Sequence, residues 1–207
     1  MVTCDSMSLS EKFLSIRNQV PPNVKILFAC KYATDEQIKE LLTFDNLMFG
    51  ENYVQSAQKR KTKIPRERYH FIGHLQRNKV REALQHFGTI QTVDSKELAD
   101  KISKVANELG VKVNVYIQVN LDNNPSQSGI DGRDLFEIVK HVAHLPNLKL
   151  IGLLSMGTQK ENKREIFSQL KKLAMLLSLK TSMGMSEDYK IAIEAGSDMV
   201  RLGRIFL

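Results

Sequence analysis

Residues 112–120 read KVNVYIQVN, and this stretch decides between the fold classes that the chain allows. Valine or isoleucine at positions 113, 115, 117 and 119 alternates with polar or aromatic side chains at 114, 116, 118 and 120. Such alternation predicts a β-strand with one apolar and one polar face. A strand covered by helices on both sides of an open sheet is expected to be apolar on both faces. The pattern therefore favours a closed barrel with the polar face in the lumen, although an edge strand would alternate in the same way.

Short β-like runs alternate with helical stretches on either side of this segment. Eight strands are predicted at residues 24–30, 47–49, 69–72, 89–93, 112–120, 148–154, 179–182 and 199–202. Helices are predicted at 35–43, 52–62, 77–86, 95–109, 132–144, 161–177 and 187–195, with an extra one at 8–20 before the first strand. Repeated βα units predict a parallel sheet, and eight of them can close into a (β/α)8 barrel of the TIM type. Without a linker or internal repeat, residues 1–207 are expected to form one domain, with 1–20 as a helical extension.

Two helices have clear end signals. Ser95 can cap a helix that ends at Gly110, with leucine, isoleucine and valine at helical spacing between them. Ser186 can cap another that ends at Gly196, with acidic residues at 187 and 188 in its first turn.

Composition limits the classes of function. The chain has 207 residues, 42% of them hydrophobic, and no apolar run approaches the roughly 20 residues that cross a bilayer. The amino terminus lacks a signal-peptide pattern. Two cysteines, Cys4 and Cys30, imply no disulfide framework, so a reducing cytoplasm is the expected compartment. No cysteine and histidine cluster has zinc-ligand spacing, and no metal is expected.

The net charge of +7 suits an anionic partner, whether nucleic acid, a membrane surface or a phosphorylated small molecule. Basic residues are densest between positions 59 and 81, with Glu67 among them and Glu82 directly after the segment. Tryptophan is absent and base-stacking aromatic residues are sparse. This segment is therefore interpreted as a solvated helix face rather than a nucleic-acid footprint, and no nucleic-acid or membrane partner is expected.

Lys31 follows the first predicted strand, in which Leu27, Ala29 and Lys31 share one face. A lysine at the carboxyl end of a barrel strand stands where a Schiff-base nucleophile is found. The alternative is a solvated lysine that marks the end of the strand.

Other polar residues and glycines follow the remaining strands, at the barrel end where ligands bind. The segments 182–186 and 201–204 contain Gly184 and Gly203 and follow the seventh and eighth strands, the usual place for a phosphate in this fold. The acidic residues at 187 and 188 argue against an anion at that helix start. His70 and His74 flank residues 71–73, and either a ligand contact or a structural role is open to His74.

Longer motifs carry more specific information than these fragments. The chain contains GENYVQ at 50–55, HFIGHLQRNK at 70–79, SMGMSEDY at 182–189 and AGSDMVRLGRIF at 195–206. With Lys31, these motifs resemble, in order and with unbroken spacing, the YggS/PROSC family of pyridoxal phosphate homeostasis proteins. That family is akin to the amino-terminal barrel domain of alanine racemase. The resemblance covers about residues 24 to 206 and implies an alanine racemase N-terminal-domain-like barrel.

The resemblance also implies a cofactor and its ligands. Pyridoxal 5′-phosphate would be held on Lys31 as a Schiff base. Ser186 and the backbone at Gly203 and Arg204 would bind the phosphate, and Arg201 would face the pyridine nitrogen. Arg204 stands where the family usually has a small threonine or serine, so its side chain would either reach over the phosphate or swing away.

Three further residues complete the implied site. Asn52 would lie beside the ring, and Met156 and Met183 would line the pocket. The implied role is vitamin B6 homeostasis without established catalytic turnover.

An always-charged arginine at the pyridine nitrogen disfavours the ring protonation that pyridoxal enzymes exploit. Alanine racemase works under the same handicap, so this arginine alone does not exclude catalysis. That enzyme also takes a tyrosine from a second domain across a dimer interface, for which 207 residues leave no room. The first hypothesis is therefore a monomeric cofactor carrier that passes pyridoxal phosphate transiently to dependent apoenzymes. A low-activity amino-acid racemase, with Tyr32 or Tyr53 as the second acid–base group, is the alternative, and a nucleic-acid-binding barrel is the third hypothesis.

Overall fold

The computed structural model describes residues 7–122, 124–157 and 162–206, and strands and helices alternate along these ranges. The strands are β1 (Lys25–Ala29), β2 (Leu47–Glu51), β3 (Tyr69–Phe71), β4 (Thr89–Val93), β5 (Val113–Asn120), β6 (Ile130–Asp131), β7 (Leu148–Leu154), β8 (Lys180–Ser182) and β9 (Met199–Leu202). The α-helices are α1 (Leu9–Gln19), α2 (Asp35–Leu41), α3 (Val54–Lys59), α4 (Val80–His86), α5 (Lys96–Leu109), α6 (Leu135–Ala143), α7 (Lys163–Leu176) and α8 (Tyr189–Glu194). None of these helices has the length and apolar character needed to span a membrane.

Eight of the strands form a closed parallel barrel, as predicted. Their order is β4-β3-β2-β1-β9-β8-β7-β5, and pairing of β4 with β5 joins the two edges of the sheet. The fold is therefore that of a TIM barrel. The two-residue strand β6 pairs with the end of β5 through Val119 and Ile130, outside this closed set. Two residues are too short to give a periodic signal, so the sequence did not predict β6.

Strand β5 divides its side chains as its alternation predicted. Val113, Val115, Ile117 and Val119 belong to the large hydrophobic cluster between the barrel and the helices. Gln118, on the opposite face, lines a cavity at the barrel mouth. A smaller apolar cluster of Leu27, Ile72 and Met199 fills part of the lumen. The polar face of β5 therefore belongs to a barrel interior and not to an exposed sheet edge.

The predicted extra helix is α1, which packs on the outside of the barrel. Ser8 and Glu11 form a reciprocal capping box at its start. The Phe13 ring of α1 lies 4.6 Å from the Phe44 ring and 6.2 Å from the Phe206 ring, measured between centroids. Phe206 in turn lies 5.5 Å from Phe28 of β1. Aromatic packing thus ties the first helix to the last described residues.

The two predicted helix starts had different outcomes. The Ser95 hydroxyl accepts a hydrogen bond from the Leu98 amide, and α5 ends at Gly110 with a left-handed φ of 62°, as expected. The prediction that Ser186 caps the last helix was wrong, because α8 begins at Tyr189. The Ser186 hydroxyl instead accepts a hydrogen bond from the Gly203 amide. Asp188 accepts one from the Met185 amide at 2.7 Å, which folds residues 185–188 into a turn before the helix.

Candidate functional site

A cavity of about 310 Å³, here called the lysine cavity, opens where the carboxyl ends of β1 and β9 meet. Seven of the eight residues predicted to bind the cofactor line it: Lys31, Asn52, Met156, Ser186, Arg201, Gly203 and Arg204. These residues come from segments far apart in the chain, and the closed barrel brings them together because all its parallel strands end on the same side. Their association around one cavity is a product of the fold.

Met183 does not line the lysine cavity. Its side chain is fully buried and belongs to the hydrophobic cluster between barrel and helices. The next methionine, Met185, lines the cavity instead. Alternation along β8 explains the difference: the Ser182 hydroxyl faces the lumen, so the next side chain, Met183, faces the helices. The Met183 amide still donates to the Met199 carbonyl of β9, so the strand pairing continues to this residue.

Lys31 sits in a short 3₁₀ turn, Cys30–Tyr32, immediately after β1. The strand ends at Ala29, so the predicted extension of its inward face to Lys31 is interrupted. The side chain is exposed at the cavity, and Nζ lies 5.0 Å from the centre of the Tyr32 ring. Hydrogen bonding to the Tyr32 hydroxyl raises the pKa of the Lys31 amine above its ordinary value. The Lys31 side chain is therefore an ammonium group at neutral pH, and it is accessible to solvent.

The loops after β8 and β9 build another part of the lysine cavity. The Gly203 amide donates a hydrogen bond of 3.2 Å to the Ser186 hydroxyl. A Cβ at Gly203 would lie only 3.2 Å from the Ala29 Cβ, so a side chain there would crowd the wall. Arg204 turns to Glu187 in an exposed ion pair of 2.7 Å. Of the two orientations considered for Arg204, the structure shows the side chain swung onto this carboxylate.

The acidic residues beside Ser186 are both paired with cations. Glu187 contacts Arg204, and Asp188 lies 3.7 Å from the ammonium of Lys163. These cations offset the repulsion that the sequence predicted for an anion near this loop.

Arg201 is buried beneath the lysine cavity, with its charge held by backbone and hydroxyl groups. Its Nη1 donates to the Ser182 carbonyl at 2.7 Å and to the Ser182 hydroxyl at 2.9 Å, and Nη2 donates to the Ser155 carbonyl at 2.9 Å. Burial lowers the pKa of the guanidinium to about 10, so it stays protonated at neutral pH. Among the described residues no carboxylate forms an ion pair with Arg201. Its positive charge therefore lies without a paired counterion at the carboxyl ends of the strands.

A chain of hydrogen bonds in the lumen supports Arg201. The Ser182 hydroxyl donates to the Gln91 Oε1 at 2.7 Å, and the Gln91 Nε2 lies 2.7 Å from Nδ1 of His70. Burial lowers the pKa of His70 to about 3, so this ring is neutral and accepts from the amide. His70 therefore has a structural role. It is linked to Arg201 through Gln91 and Ser182, and Gln91 was not singled out from the sequence.

A second cavity, of about 380 Å³ and here called the polar cavity, adjoins the first. The two share Asn52, Met156 and Arg204, and the polar cavity is also lined by His74 and Gln118. Nδ1 of His74 lies 3.4 Å from Asp94. Burial raises the pKa of the Asp94 carboxyl, and the nearby His74 lowers it in part. His74 thus faces a cavity, while its ring remains 60% exposed.

The two tyrosines considered as a second acid–base group lie at the surface. Tyr32 is 64% exposed and lines the lysine cavity, whereas Tyr53 is 56% exposed and lines a separate depression. Over the described ranges, histidine, cysteine and carboxylate side chains form no group of three or more that could hold a metal ion.

Comparison with known families and proteins agrees with this geometry. The profile of the alanine racemase N-terminal domain matches residues 5–207. The pyridoxal phosphate homeostasis protein of Pasteurella multocida is 35% identical over 196 residues, which cover 87% of this chain and 84% of that protein. The protein of the same name from Escherichia coli K12 is 32% identical over 197 residues, with 88% and 84% covered.

Solved structures show the same fold. PipY of Synechococcus elongatus, solved with pyridoxal phosphate bound, superposes with a TM-score of 0.86 at 31% identity and covers 96% of this chain and 99% of that one. Alanine racemase of Clostridium difficile shares the fold at 16% identity and a TM-score of 0.74, and the match spans 55% of its chain. The chain belongs to the family of pyridoxal phosphate homeostasis proteins, within the larger group that has the alanine racemase N-terminal barrel.

Proposed function

We propose that this protein binds pyridoxal 5′-phosphate, holds it on Lys31 as a Schiff base and acts in vitamin B6 homeostasis rather than in catalytic turnover. The observation that carries the proposal is the lysine cavity, which is lined by a primary amine, a buried arginine and a glycine–serine pair from different segments of the chain. The relatives named for pyridoxal phosphate homeostasis and the PipY structure with bound pyridoxal phosphate support it.

The residues present fit the phosphate group of this cofactor. The Gly203 amide and Ser186 hydroxyl are each other's partners at 3.2 Å, so a phosphate oxygen can accept from both when their mutual bond opens. Arg204 is close enough to line the cavity, and its competing partner Glu187 is exposed. Because exposed ion pairs contribute about 0–1 kcal/mol, exchange of Arg204 from Glu187 to a phosphate is inexpensive.

When bound, pyridoxal phosphate supplies an aldehyde that a neutral primary amine can take up with loss of water. Lys31 must first release its proton. Since the pKa of its amine is raised, the reactive fraction grows as pH increases from neutral towards that pKa. Its exposed position also leaves the bond open to water and to other amines, which suits a protein that holds and releases its ligand.

Arg201 supports binding rather than turnover. A guanidinium that stays protonated can donate to a pyridine nitrogen but cannot hold that nitrogen in the protonated state that strengthens an electron sink. Tyr32 and Tyr53, the candidates for a second acid–base group, are both more than half exposed, and Tyr53 does not line the lysine cavity.

We further propose that the protein is a monomer of the cytoplasm that transfers its ligand to pyridoxal-phosphate-dependent apoenzymes. The exposed Lys31 supports transfer. The low cysteine content, with Cys30 buried, supports a reducing compartment.

The test is the visible absorption spectrum of the purified protein with pyridoxal phosphate, followed by borohydride reduction and peptide mapping. We expect a yellow Schiff-base band that strengthens with pH, a label on Lys31, and loss of both in Lys31→Ala. Lys25→Ala, at the opposite end of β1, is the matched control and should behave as the native protein.

Two outcomes would overturn parts of the proposal. A label on another lysine would remove the assigned role of Lys31. Exchange of an amino acid's α-hydrogen in deuterated water that depends on Lys31 would replace the carrier by the racemase alternative.

A further inference from the structure

We infer that the ion pair of Glu51 and Arg60 is a positioning device that fixes the turn carrying Lys31 and thereby sets its affinity for the aldehyde. The inference rests on the proposed function, because it concerns the same lysine. Neither residue lines the lysine cavity, so their effect must pass through the backbone.

The pair is buried directly behind the turn. Nη2 of Arg60 lies 2.8 Å from Oε2 of Glu51, whose side chain is fully buried, while that of Arg60 is only 11% exposed. Nη2 of Arg60 also donates to the Cys30 carbonyl at 2.7 Å, and Nη1 donates to the Ala33 carbonyl at 3.2 Å. These carbonyls lie on either side of Lys31, so one planar guanidinium holds both ends of the turn.

Glu51 extends this control to a second residue of the cavity. Its Oε1 accepts a hydrogen bond of 3.0 Å from the Asn52 amide, and Asn52 lines the lysine cavity. One buried carboxylate therefore orients the arginine that holds the lysine turn and also fixes the backbone of Asn52, which lines the same cavity. The forked geometry is specific to arginine, because five donors in a plane can serve a carboxylate and two carbonyls at once.

Loss of this clamp should weaken binding without removing any group that contacts the ligand. Apparent affinity falls in proportion to the fraction of molecules that hold the binding-competent conformation. We expect the Schiff-base equilibrium constant to fall about tenfold when the turn is released, because about a tenth of the molecules then hold the lysine in place.

The experiment compares Arg60→Met, the double variant Glu51→Gln/Arg60→Met, and Lys171→Met. The single variant leaves a buried carboxylate without its cation and is expected to lose stability. The double variant removes both charges at similar volume, so it should recover thermal stability but not the clamp. Lys171 pairs with Asp198 at 2.8 Å beside the start of β8, away from the cavity, and is the matched control for loss of an ion pair.

Two readouts separate positioning from general stability. In the protein without ligand, amide hydrogen exchange at Ala33, which donates to the Cys30 carbonyl, should accelerate about tenfold or more in the double variant and remain unchanged in Lys171→Met. With pyridoxal phosphate, the double variant should show the weakened Schiff base while Lys171→Met binds as the native protein. Arg60→Lys should restore part of the affinity, because a cation again meets Glu51.

Each result decides the inference. Unchanged exchange at Ala33 overturns the clamp whether or not the native protein binds the cofactor. Faster exchange with unaltered affinity overturns the positioning role. If the native protein forms no Schiff base at Lys31, the proposed function fails and the inferred effect on affinity fails with it, whereas faster exchange would still show that the pair holds the turn.

Discussion

Arginines in the basic segment between residues 59 and 81 act on the backbone of neighbouring loops. Arg60 holds the lysine turn, and Arg68 donates to the carbonyls of Leu47 and Phe44 at 3.0 and 2.6 Å. Arg66 donates to the Leu84 carbonyl at 3.1 Å. The interpretation of this segment as a solvated face was therefore wrong for Arg60, Arg66 and Arg68, whereas Arg77 and Arg81 are exposed as expected. Guanidinium groups can satisfy backbone carbonyls at the ends of strands and helices and in loops, and this role does not show in the spacing of the charges.

His70 should make stability depend on pH. Its pKa is about 3 in the folded protein against an ordinary value of 6.5, so the unfolded chain binds one more proton between these values. Stability contributed by the neutral ring is complete above pH 6.5 and is lost as pH falls towards 3. We expect the free energy of unfolding to fall by about 2 kcal/mol more in the native protein than in His70→Asn between pH 7 and pH 5.

Urea titrations at several pH values measure this difference. Asparagine can still accept from Gln91 but does not titrate. His144→Asn, which alters an exposed histidine, should keep the native pH dependence. Identical pH profiles for the native protein and His70→Asn would show that His70 does not titrate as described.

Neighbouring strands of the barrel approach each other closely where Gly152 of β7 faces its neighbours. A Cβ built on Gly152 would lie 2.4 Å from the Lys180 carbonyl oxygen of β8 and 2.6 Å from the Tyr116 ring of β5. Both contacts are shorter than real Cβ contacts, and the carbonyl cannot move without disturbing the β7–β8 pairing of Gly152 with Lys180. The glycine makes room for the buried Tyr116.

Gly152→Ala is therefore expected to destabilise the barrel. Overpacking of this kind costs about 1–3 kcal/mol. Gly132→Ala is the control, because its nearest neighbour, a methyl of Leu121, would be at an ordinary 3.4 Å. Urea midpoints should fall for the first variant and stay close to native for the second, and equal midpoints would contradict the description of this contact.

At the scale of the whole molecule, the first helix and the last described residues pack against each other on the outside of the barrel. Phe206 lies between Phe13 of α1 and Phe28 of β1, and all three rings are at most 4% exposed. Because α1 contributes Phe13 to this group and also packs on α2, its attachment depends on residues at the other end of the sequence. Long-range packing of this kind links the first and last elements in a single core.

Phe206→Ala should lower the free energy of unfolding by about 3–5 kcal/mol, the usual cost of a phenylalanine removed from a core. Phe136→Ala, which removes a ring that is 55% exposed, should change stability little. The double variant Phe13→Ala/Phe206→Ala should lose less than the sum of the single variants, because the two rings share one contact. Full additivity in urea unfolding would show that α1 is held independently of Phe206.

The sequence by itself determined the order and type of the elements, because these depend on local periodicity. The strands at 89–93, 148–154 and 199–202 have the predicted bounds, and the alternation along β5 correctly indicated a polar lumen. Seven of the eight residues that the family resemblance assigned to the cofactor line one cavity, and their role in binding stays a prediction.

Only the tertiary structure decided how those residues meet. Met183 faces the helices because it follows the inward-facing Ser182, and Lys31 lies beyond the end of its strand. Arg60, 29 positions along the chain from the lysine, became the support of its turn, and Gln91 the link between His70 and Arg201. Periodicity gives the face of a side chain within one element, but hydrogen bonds between segments distant in the chain follow from barrel closure, which no local pattern contains.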